Sequence, residues 1–213
     1  MNLDDFKIEN MQFILNEDTT LARFYALIPV KERLIERLLE HGIVLKSWFD
    51  AVFDSDMEKL EEITGQEQEV VEKFHSLLHL HDFKNRSLKE LKSINAEVIE
   101  NVLSQGYKKS LDILMLASEK SVQEMSALLK IDITEVQRLV AMCQLMRLPG
   151  VKDTRASLYY DVGLCSPVAF RESSPEEISE KIAMYLTKTG SEKSMPLKKE
   201  LATQIAVSKI LPM

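Results

Sequence analysis

The sequence predicts an all-α fold, and three observations lead to that prediction. Leu, Glu, Lys, Ala, Met and Ile dominate the 213 residues, and the aromatic residues that favour strands make up only 7%. Six glycines and six prolines provide little turn chemistry for a β-sandwich or barrel. Hydrophobic residues make up 45% of the chain, which excludes a disordered protein and is enough to build a core.

The chain contains three copies of one helical pattern. Apolar residues stand at matching distances before and after Gly42, Gly106 and Gly163. Each glycine is predicted to end a helix of about ten residues, because a left-handed backbone conformation costs least at glycine. The first two copies extend further, and residues 63–80 align with residues 131–148 at an offset of 68. This pattern predicts a tandem-repeat, compact multi-helix array.

Capping residues and apolar spacing locate the individual helices. The predicted helical segments in chain order are 31–41, 47–53, 57–63 after Asp56, 135–146 after Thr134, one that opens at Ser174-Pro175, and 197–211. Core packing is the predicted role of Trp48, the single tryptophan, and of the Met142, Cys143 and Met146 group.

The repeats divide the chain into two predicted modules. Residues 1–83 form an N-terminal helical module with the first copy, and residues 84–213 form a C-terminal domain with the other two copies and the terminal helix. Copies two and three, residues 84 to about 190, are predicted to share one core, because a single pair of short helices cannot bury its apolar face alone. The terminal helix is expected to fold back on this domain across the link from Gly190 to Pro196.

Charge and cysteine content limit the environment and the partners. The net charge is −7, and residues 30–80 hold six basic and twelve acidic side chains, which argues against coating nucleic acid by charge alone. Two cysteines are too few for a disulfide framework. The acidic start lacks the pattern of a signal peptide, and no apolar run is long enough to span a bilayer. We therefore expect a cytoplasmic protein with no membrane partner.

One turn carries a motif that is typical of phosphate binding. Leu148-Pro149-Gly150-Val151 resembles the hairpin of a helix-hairpin-helix module, whose backbone amides and following helix N-terminus accept a nucleic-acid phosphate. Lys152 replaces the second hairpin glycine of that pattern and could reach a phosphate as a point charge. The candidate nucleic-acid-binding residues are Gly150, Val151, Lys152, Arg155, Lys108 and Lys109. The alternative is a purely structural turn that binds no ligand.

The same region resembles a family. Residues 148–182 and the final helix are similar to the "domain of unknown function 4332" family, and the similarity reaches back to about residue 86 and, more weakly, to residue 28. The resembling features are the Leu-Pro-Gly-Val turn, Ala156, Gly163-Leu164, and a Pro-led final helix with Ile205 and Ser208-Lys209. The resemblance implies a compact fold of degenerate helix-hairpin-helix units and, by analogy, contact with nucleic acid. It implies no reaction, cofactor or catalytic residue.

A histidine cluster invites a metal interpretation. His75 and His79 lie at i and i+4 on one helix face, with His81 and Asp82 next to them. No Glu follows His75 as in a zinc protease, and neither cysteine is near in sequence. We predict packing roles here, with no metal and no cofactor. Nucleophilic catalysis has no support, because no serine lies in a nucleophile elbow.

The sequence thus predicts a non-enzymatic accessory or scaffold protein of helix-hairpin-helix type. Its predicted partner is the backbone of DNA or RNA, bound without sequence specificity and with an affinity that falls with salt. The alternative is a protein–protein interaction adaptor with no nucleic-acid contact, which predicts an exposed apolar patch or a stable dimer. The oligomeric state stays open.

Overall fold

A computed structural model describes residues 5–80 and 82–212. In these ranges the chain forms twelve α-helices and three 3₁₀ helices, and no strand. Two isolated antiparallel bridges, Lys7 with Leu45 and Ser87 with Lys109, are the β-type contacts of the described residues. The predicted all-α class is confirmed. None of the described helices is long and apolar enough to cross a bilayer.

The chain divides into two compact units. The first, here called the N-terminal unit, holds residues 5–83 and 199–212, and the second, the C-terminal unit, holds residues 84–198. The terminal helix, expected on the C-terminal unit, groups from residue 199 with the N-terminal one. There the ammonium group of Lys209 lies 5.4 Å from the ring centre of Phe13. The helix is buried on several sides, so one apolar face at helical spacing did not identify its partner.

The N-terminal unit is built from two 3₁₀ helices and five α-helices. They are the 3₁₀ helices Ile8–Phe13 and Ala22–Val30, then α1 (Lys31–Glu40), α2 (Lys46–Ser55), α3 (Met57–Thr64), α4 (Gln68–Leu78) and, at the end of the chain, α12 (Lys198–Ile210). Phe49 of α2 is fully buried and packs edge-to-face on Phe74 of α4, with ring centres 5.4 Å apart. This aromatic pair joins α2 to α4.

The C-terminal unit contains one 3₁₀ helix and seven α-helices. They are the 3₁₀ helix Leu88–Glu90, α5 (Ala96–Ser104), α6 (Ser110–Glu119), α7 (Val122–Leu129), α8 (Ile133–Leu145), α9 (Asp153–Asp161), α10 (Pro167–Arg171) and α11 (Pro175–Thr189). Helix α8 packs against α6, α7 and α9, and its Met142 and Cys143 are fully buried as predicted. Tyr159 of α9 contacts Phe170 of α10 edge-to-face at 4.8 Å.

The three repeat glycines end helices, which confirms that prediction. Gly42, Gly106 and Gly163 have φ values of +78°, +92° and +83°, one residue beyond the cap positions of α1, α5 and α9. After α1, the Ile43 amide donates to the Leu38 carbonyl at 2.9 Å, and Gly42 donates to Leu39 at 3.0 Å. This is the hydrogen-bond pattern of a Schellman motif.

Two local predictions are wrong. Trp48 was placed in the core, but it is 50% exposed, and its neighbour Phe49 takes the buried position. The offset of 68 between the first two copies is also incorrect. The left-handed residues Gly65 and Lys130 end α3 and α7, and α4 and α8 begin at residues 68 and 133, so the offset is 65. Apolar residues recur about every helical turn, so matching them alone can misalign two helices by one turn.

Candidate functional site

The turn singled out from the sequence connects α8 to α9. The Val151 amide donates to the Leu148 carbonyl at 3.2 Å, and Gly150 has a φ of +74°. Proline at the second position and a left-handed glycine at the third are the features of a type II turn. Leu148 and Val151 are buried, whereas Gly150 is exposed. The buried side chains of Leu148 and Val151 therefore hold the turn in place, and its tip at Gly150 faces solvent.

Lys152, the residue in place of the second hairpin glycine, caps the N-terminus of α9. Its φ of −121° is extended, a conformation that any residue adopts, so its Cβ causes no strain there. The side chain is exposed. The next residue, Asp153, turns its carboxylate to Ser93, whose amide donates to it at 3.1 Å. Lys152 is thus an exposed residue at the start of a helix, where an anion is favoured.

Arg155 makes a contact within the chain that the sequence did not predict. One nitrogen of its guanidinium donates to the carbonyl of Ser194 at 2.6 Å. Lys193, one residue earlier, places its ammonium group 3.1 Å from the Asp161 carboxylate and 3.2 Å from the Ser157 hydroxyl. The link between α11 and α12 is therefore tied to α9 at two adjacent residues.

Lys108 and Lys109 are exposed at the start of α6, on a different element from the turn. Their backbone amides both donate to the carboxylate of Asp112, at 2.7 and 2.8 Å. That carboxylate occupies the position that a phosphate would take in an amide cradle. The two lysines can contribute positive charge, whereas their amides already have an acceptor.

A second group of polar side chains lies in the N-terminal unit and consists of His75, His79, Asp82 and, from α2, Asp50. His79 directly follows α4; its Nδ1 lies 2.6 Å from Asp82 Oδ2 and its Nε2 lies 3.1 Å from Asp50 Oδ1. His75 Nε2 lies 3.7 Å from the same Asp50 oxygen. The ring of His75 stacks on Phe53 with centres 3.8 Å apart. His81, the third histidine of the predicted cluster, lies outside the described residues.

Lys46 supplies the positive charge of this group. Its side chain is only 7% exposed, and its ammonium group lies 3.5 Å from Asp50 Oδ2 and 3.3 Å from Asp82 Oδ1. Burial lowers the pKa of His75 below its ordinary value, and the nearby His79 lowers this pKa further, against the opposing effect of Asp50. The neutral form of His75 is therefore favoured. We call Lys46, Asp50, His75, His79 and Asp82 the histidine–aspartate cluster.

The sequence suggested two members of this cluster as a pair, but it gave no reason to include Lys46 and Asp50. These two residues lie 29 positions before His75 and His79 and belong to another helix. Their i, i+4 spacing on α2 is the one signal that the sequence contains, and such pairs are common on helix surfaces. Only the packing of α2 on α4 shows that they face the histidines.

An apolar groove forms on the C-terminal unit, at the end of α9 and along α11. Its volume is about 740 Å³, and its apolar lining includes Val162, Ala183 and Met184, with Tyr185 beside them. Met184 is 73% exposed. Lys181 and Lys188 lie at its edge. A protein side chain or an apolar ligand segment could bury this surface.

Comparison with known proteins gives one result. The model of the DUF4332 family, a domain of unknown function, matches residues 87–211, which is more than half of the chain. The matched part includes the Leu148–Val151 turn, α9 and the terminal helix. No curated protein and no solved structure matches the chain.

Proposed function

The chain therefore belongs to the DUF4332 family, and we propose that it is a non-enzymatic accessory or scaffold protein that binds the backbone of nucleic acid. The observation that carries this proposal is the Leu148–Val151 turn between two packed helices, with Gly150 in the left-handed region and Lys152 exposed after it. The binding is sequence-independent, because these groups can reach a phosphate and offer no pattern of donors to a base edge.

The distribution of charge supports an assignment to the C-terminal unit. Residues 84–198 contain 17 Lys and Arg against 15 Asp and Glu, a net charge of +2. The rest of the chain contains 10 basic and 19 acidic side chains, a net charge of −9. The acidic rest of the chain repels a polyanion, whereas the C-terminal unit with its net charge of +2 does not. Contact is therefore local, through the turn and Lys152, with Lys108 and Lys109 as further positive charges.

The two free cysteines support a reducing compartment. Cys143 is buried and Cys165 is exposed, and neither forms a disulfide. Exposed free thiols persist where glutathione and thioredoxin keep them reduced. We therefore propose that the protein is cytoplasmic.

Fluorescence anisotropy with labelled duplex and single-stranded oligonucleotides tests the proposal. Measurements with the full chain at about 50 mM salt, the low end of the range in which phosphate contacts are usually studied, favour detection of weak contacts. Gly150→Val is the informative variant, because a β-branched residue is strained at a φ of +74° and disturbs the turn itself. Absence of binding by the unsubstituted chain to both oligonucleotides would refute the proposal.

The adaptor function is the second candidate, and the apolar groove with the exposed Met184 favours it. The partner would be a protein segment with apolar side chains that fill the groove and an acidic residue near Lys181 and Lys188. Light scattering shows whether a second copy of the chain fills this role, and Met184→Glu should then return a dimer to a monomer. A monomer at all concentrations leaves only a different protein as the partner.

A further inference from the structure

We propose that Asp50, His75 and His79 bind a zinc ion in the N-terminal unit, with Asp82 and Lys46 holding the ligands in place. The site is independent of the turn in the C-terminal unit and of the function proposed for it. Two imidazole nitrogens and one carboxylate oxygen are a common ligand set for zinc, and water completes the coordination.

The positions of the three ligand atoms fit one ion. Asp50 Oδ1 lies 3.1 Å from His79 Nε2 and 3.7 Å from His75 Nε2, and ligand atoms of the three residues lie within 4.8 Å of one another. A tetrahedral zinc with bonds of about 2.0–2.1 Å sets its ligand atoms about 3.3 Å apart. The two observed distances lie on either side of that value. The ligand atoms of the two histidines lie within 4.8 Å of each other, and side-chain rotation has to bring them closer for all three atoms to bind one ion.

The contacts of the two ring nitrogens of His79 also favour a cation between His79 and Asp50. Carboxylate oxygens lie at hydrogen-bond distance from both of its ring nitrogens, but a neutral imidazole carries only one N–H group. If Nδ1 donates to Asp82, the lone pair of Nε2 faces the Asp50 oxygen. A proton on Nε2 would satisfy that one contact, whereas a metal ion would accept electron pairs from His79, Asp50 and His75 together.

The surroundings hold the ligands in the orientation that a metal needs. Asp82 Oδ2 lies 2.6 Å from His79 Nδ1, and this pairing of a carboxylate with the outer ring nitrogen is the arrangement that fixes the tautomer of zinc-binding histidines. Lys46 contacts Oδ2 of Asp50, whereas Oδ1 faces the two histidines. Phe53 stacks on the ring of His75 and limits its rotation. These contacts reduce the conformational entropy that ligand ordering would otherwise cost.

Access and charge are suitable for a divalent cation. The side chains of Asp50, His75 and His79 are 24%, 26% and 35% exposed, so an ion can enter from solvent. Two carboxylates and one ammonium group give the cluster a net charge of −1 when both histidines are neutral. The unit around it carries an excess of acidic residues. The local potential therefore attracts a cation.

Zinc affinity of the full chain, measured by competition with a chromogenic chelator after dialysis against EDTA, tests the site. The background is Cys165→Ser, because the exposed thiol of Cys165 could bind zinc by itself. We expect one zinc ion per chain. Asp50→Asn and His79→Gln should each weaken binding by about 100-fold or more, and Asp82→Asn, which removes only an outer contact, by about 10-fold.

His41→Gln is the matched control, because His41 is an exposed histidine after a helix of the same unit and lies outside the cluster. Its zinc affinity should equal that of the background chain. Zinc should also raise the Tm of the background chain, a measurement that needs no ligand variant to fold. No stoichiometric zinc, an unchanged Tm, or equal affinities of Asp50→Asn, His79→Gln and His41→Gln would each overturn the proposal.

Discussion

Two four-helix segments of the chain, α1–α4 and α5–α8, share local geometry but differ in what they enclose. In the first, the Ile8 amide donates to Val44 at 2.9 Å and the Lys46 amide donates to Phe6 at 2.9 Å. In the second, Leu88 donates to Lys108 at 2.9 Å and Ser110 donates to Arg86 at 2.8 Å. Each segment thus fixes the start of its second helix by the same pair of backbone bonds.

The side-chain caps of the second helices, α2 and α6, also match between the two segments. An Asp5 carboxylate oxygen accepts from the Ser47 amide at 3.0 Å, and the Asn85 side-chain oxygen accepts from the Leu111 amide at 3.0 Å. Both caps come from residues that precede the segment's 3₁₀ helix and lie far from the capped helix in sequence. Backbone geometry and caps therefore agree in the two segments, with second helices that begin 64 residues apart.

The side chains at matching positions differ in chemistry. The backbone bonds pair Lys46 with Ser110, and the same offset of 64 pairs Asp50 with the buried Leu114. The offset of 65 that holds from the third helix onward pairs the two cluster histidines with residues 140 and 144, which are valine and glutamine. The second segment folds with no ionisable group at these four positions. The histidine–aspartate cluster is therefore not a requirement of this helix arrangement, which agrees with a binding role.

The largest expected effect comes from a core position that is fully buried in both segments. Phe49→Ala should lower the free energy of unfolding by about 3–5 kcal/mol, because a fully buried ring is removed and Phe74 loses its partner. Ile113→Ala at the matching position of the second segment removes fewer atoms and should cost about 2–4 kcal/mol. Urea denaturation followed by circular dichroism measures both. A larger cost for Ile113→Ala than for Phe49→Ala would contradict the pairing of these two positions.

The next largest effect is expected for a substitution in the histidine–aspartate cluster, compared with one at the matching uncharged position of the second segment. Lys46→Met leaves two carboxylates without their cation and should cost about 2 kcal/mol, less than for a fully buried pair because Asp50 and Asp82 are partly exposed. Ser110→Ala removes the hydroxyl that accepts from the Arg86 amide at 3.0 Å and donates to Asn85 Oδ1 at 3.5 Å, and it should cost about 1 kcal/mol. The same denaturation experiment compares them. A Lys46→Met chain as stable as the parent would show that the carboxylates need no partner.

The smallest effect is expected for substitutions of Gly65 and Lys130, the residues that end α3 and α7. Lys130 has a φ of +56°, which an L-residue adopts at a cost of about 1–2 kcal/mol, whereas Gly65 has a similar φ without that cost. Lys130→Gly should therefore raise the Tm slightly, and Gly65→Ala should lower it by an amount equivalent to about 1 kcal/mol. Thermal melts of the two variants check the signs. Changes of the same sign would contradict the equivalence of the two helix ends.

Sequence patterns predicted the parts of the fold that depend on neighbouring residues. The helices, the glycines that end them and the buried Met142–Cys143 pair follow from local conformational cost and from apolar spacing. The partner of the terminal helix did not follow, because an apolar face does not specify the surface that covers it. The contact of Arg155 with Ser194, 39 residues later in the chain, did not follow from the sequence either.

The candidate sites show the same division. The turn at Leu148–Val151 could be recognised from four consecutive residues, because proline and glycine at those positions restrict the backbone. The histidine–aspartate cluster could not be assembled from sequence, because its residues come from α2 and from both sides of the end of α4. Their contact depends on the packing of Phe49 against Phe74, and no local pattern contains that information.

The salt dependence of oligonucleotide binding tests the central claim, that Lys152 at the turn contacts a phosphate. Each phosphate contact that is lost should reduce the slope of log K against log salt by about 1. Lys152→Gln should therefore show weaker binding and a smaller slope. Lys120→Gln, which removes an exposed lysine at the far end of α6, should keep the parental slope. Identical slopes for Lys152→Gln and the parent chain would contradict the account.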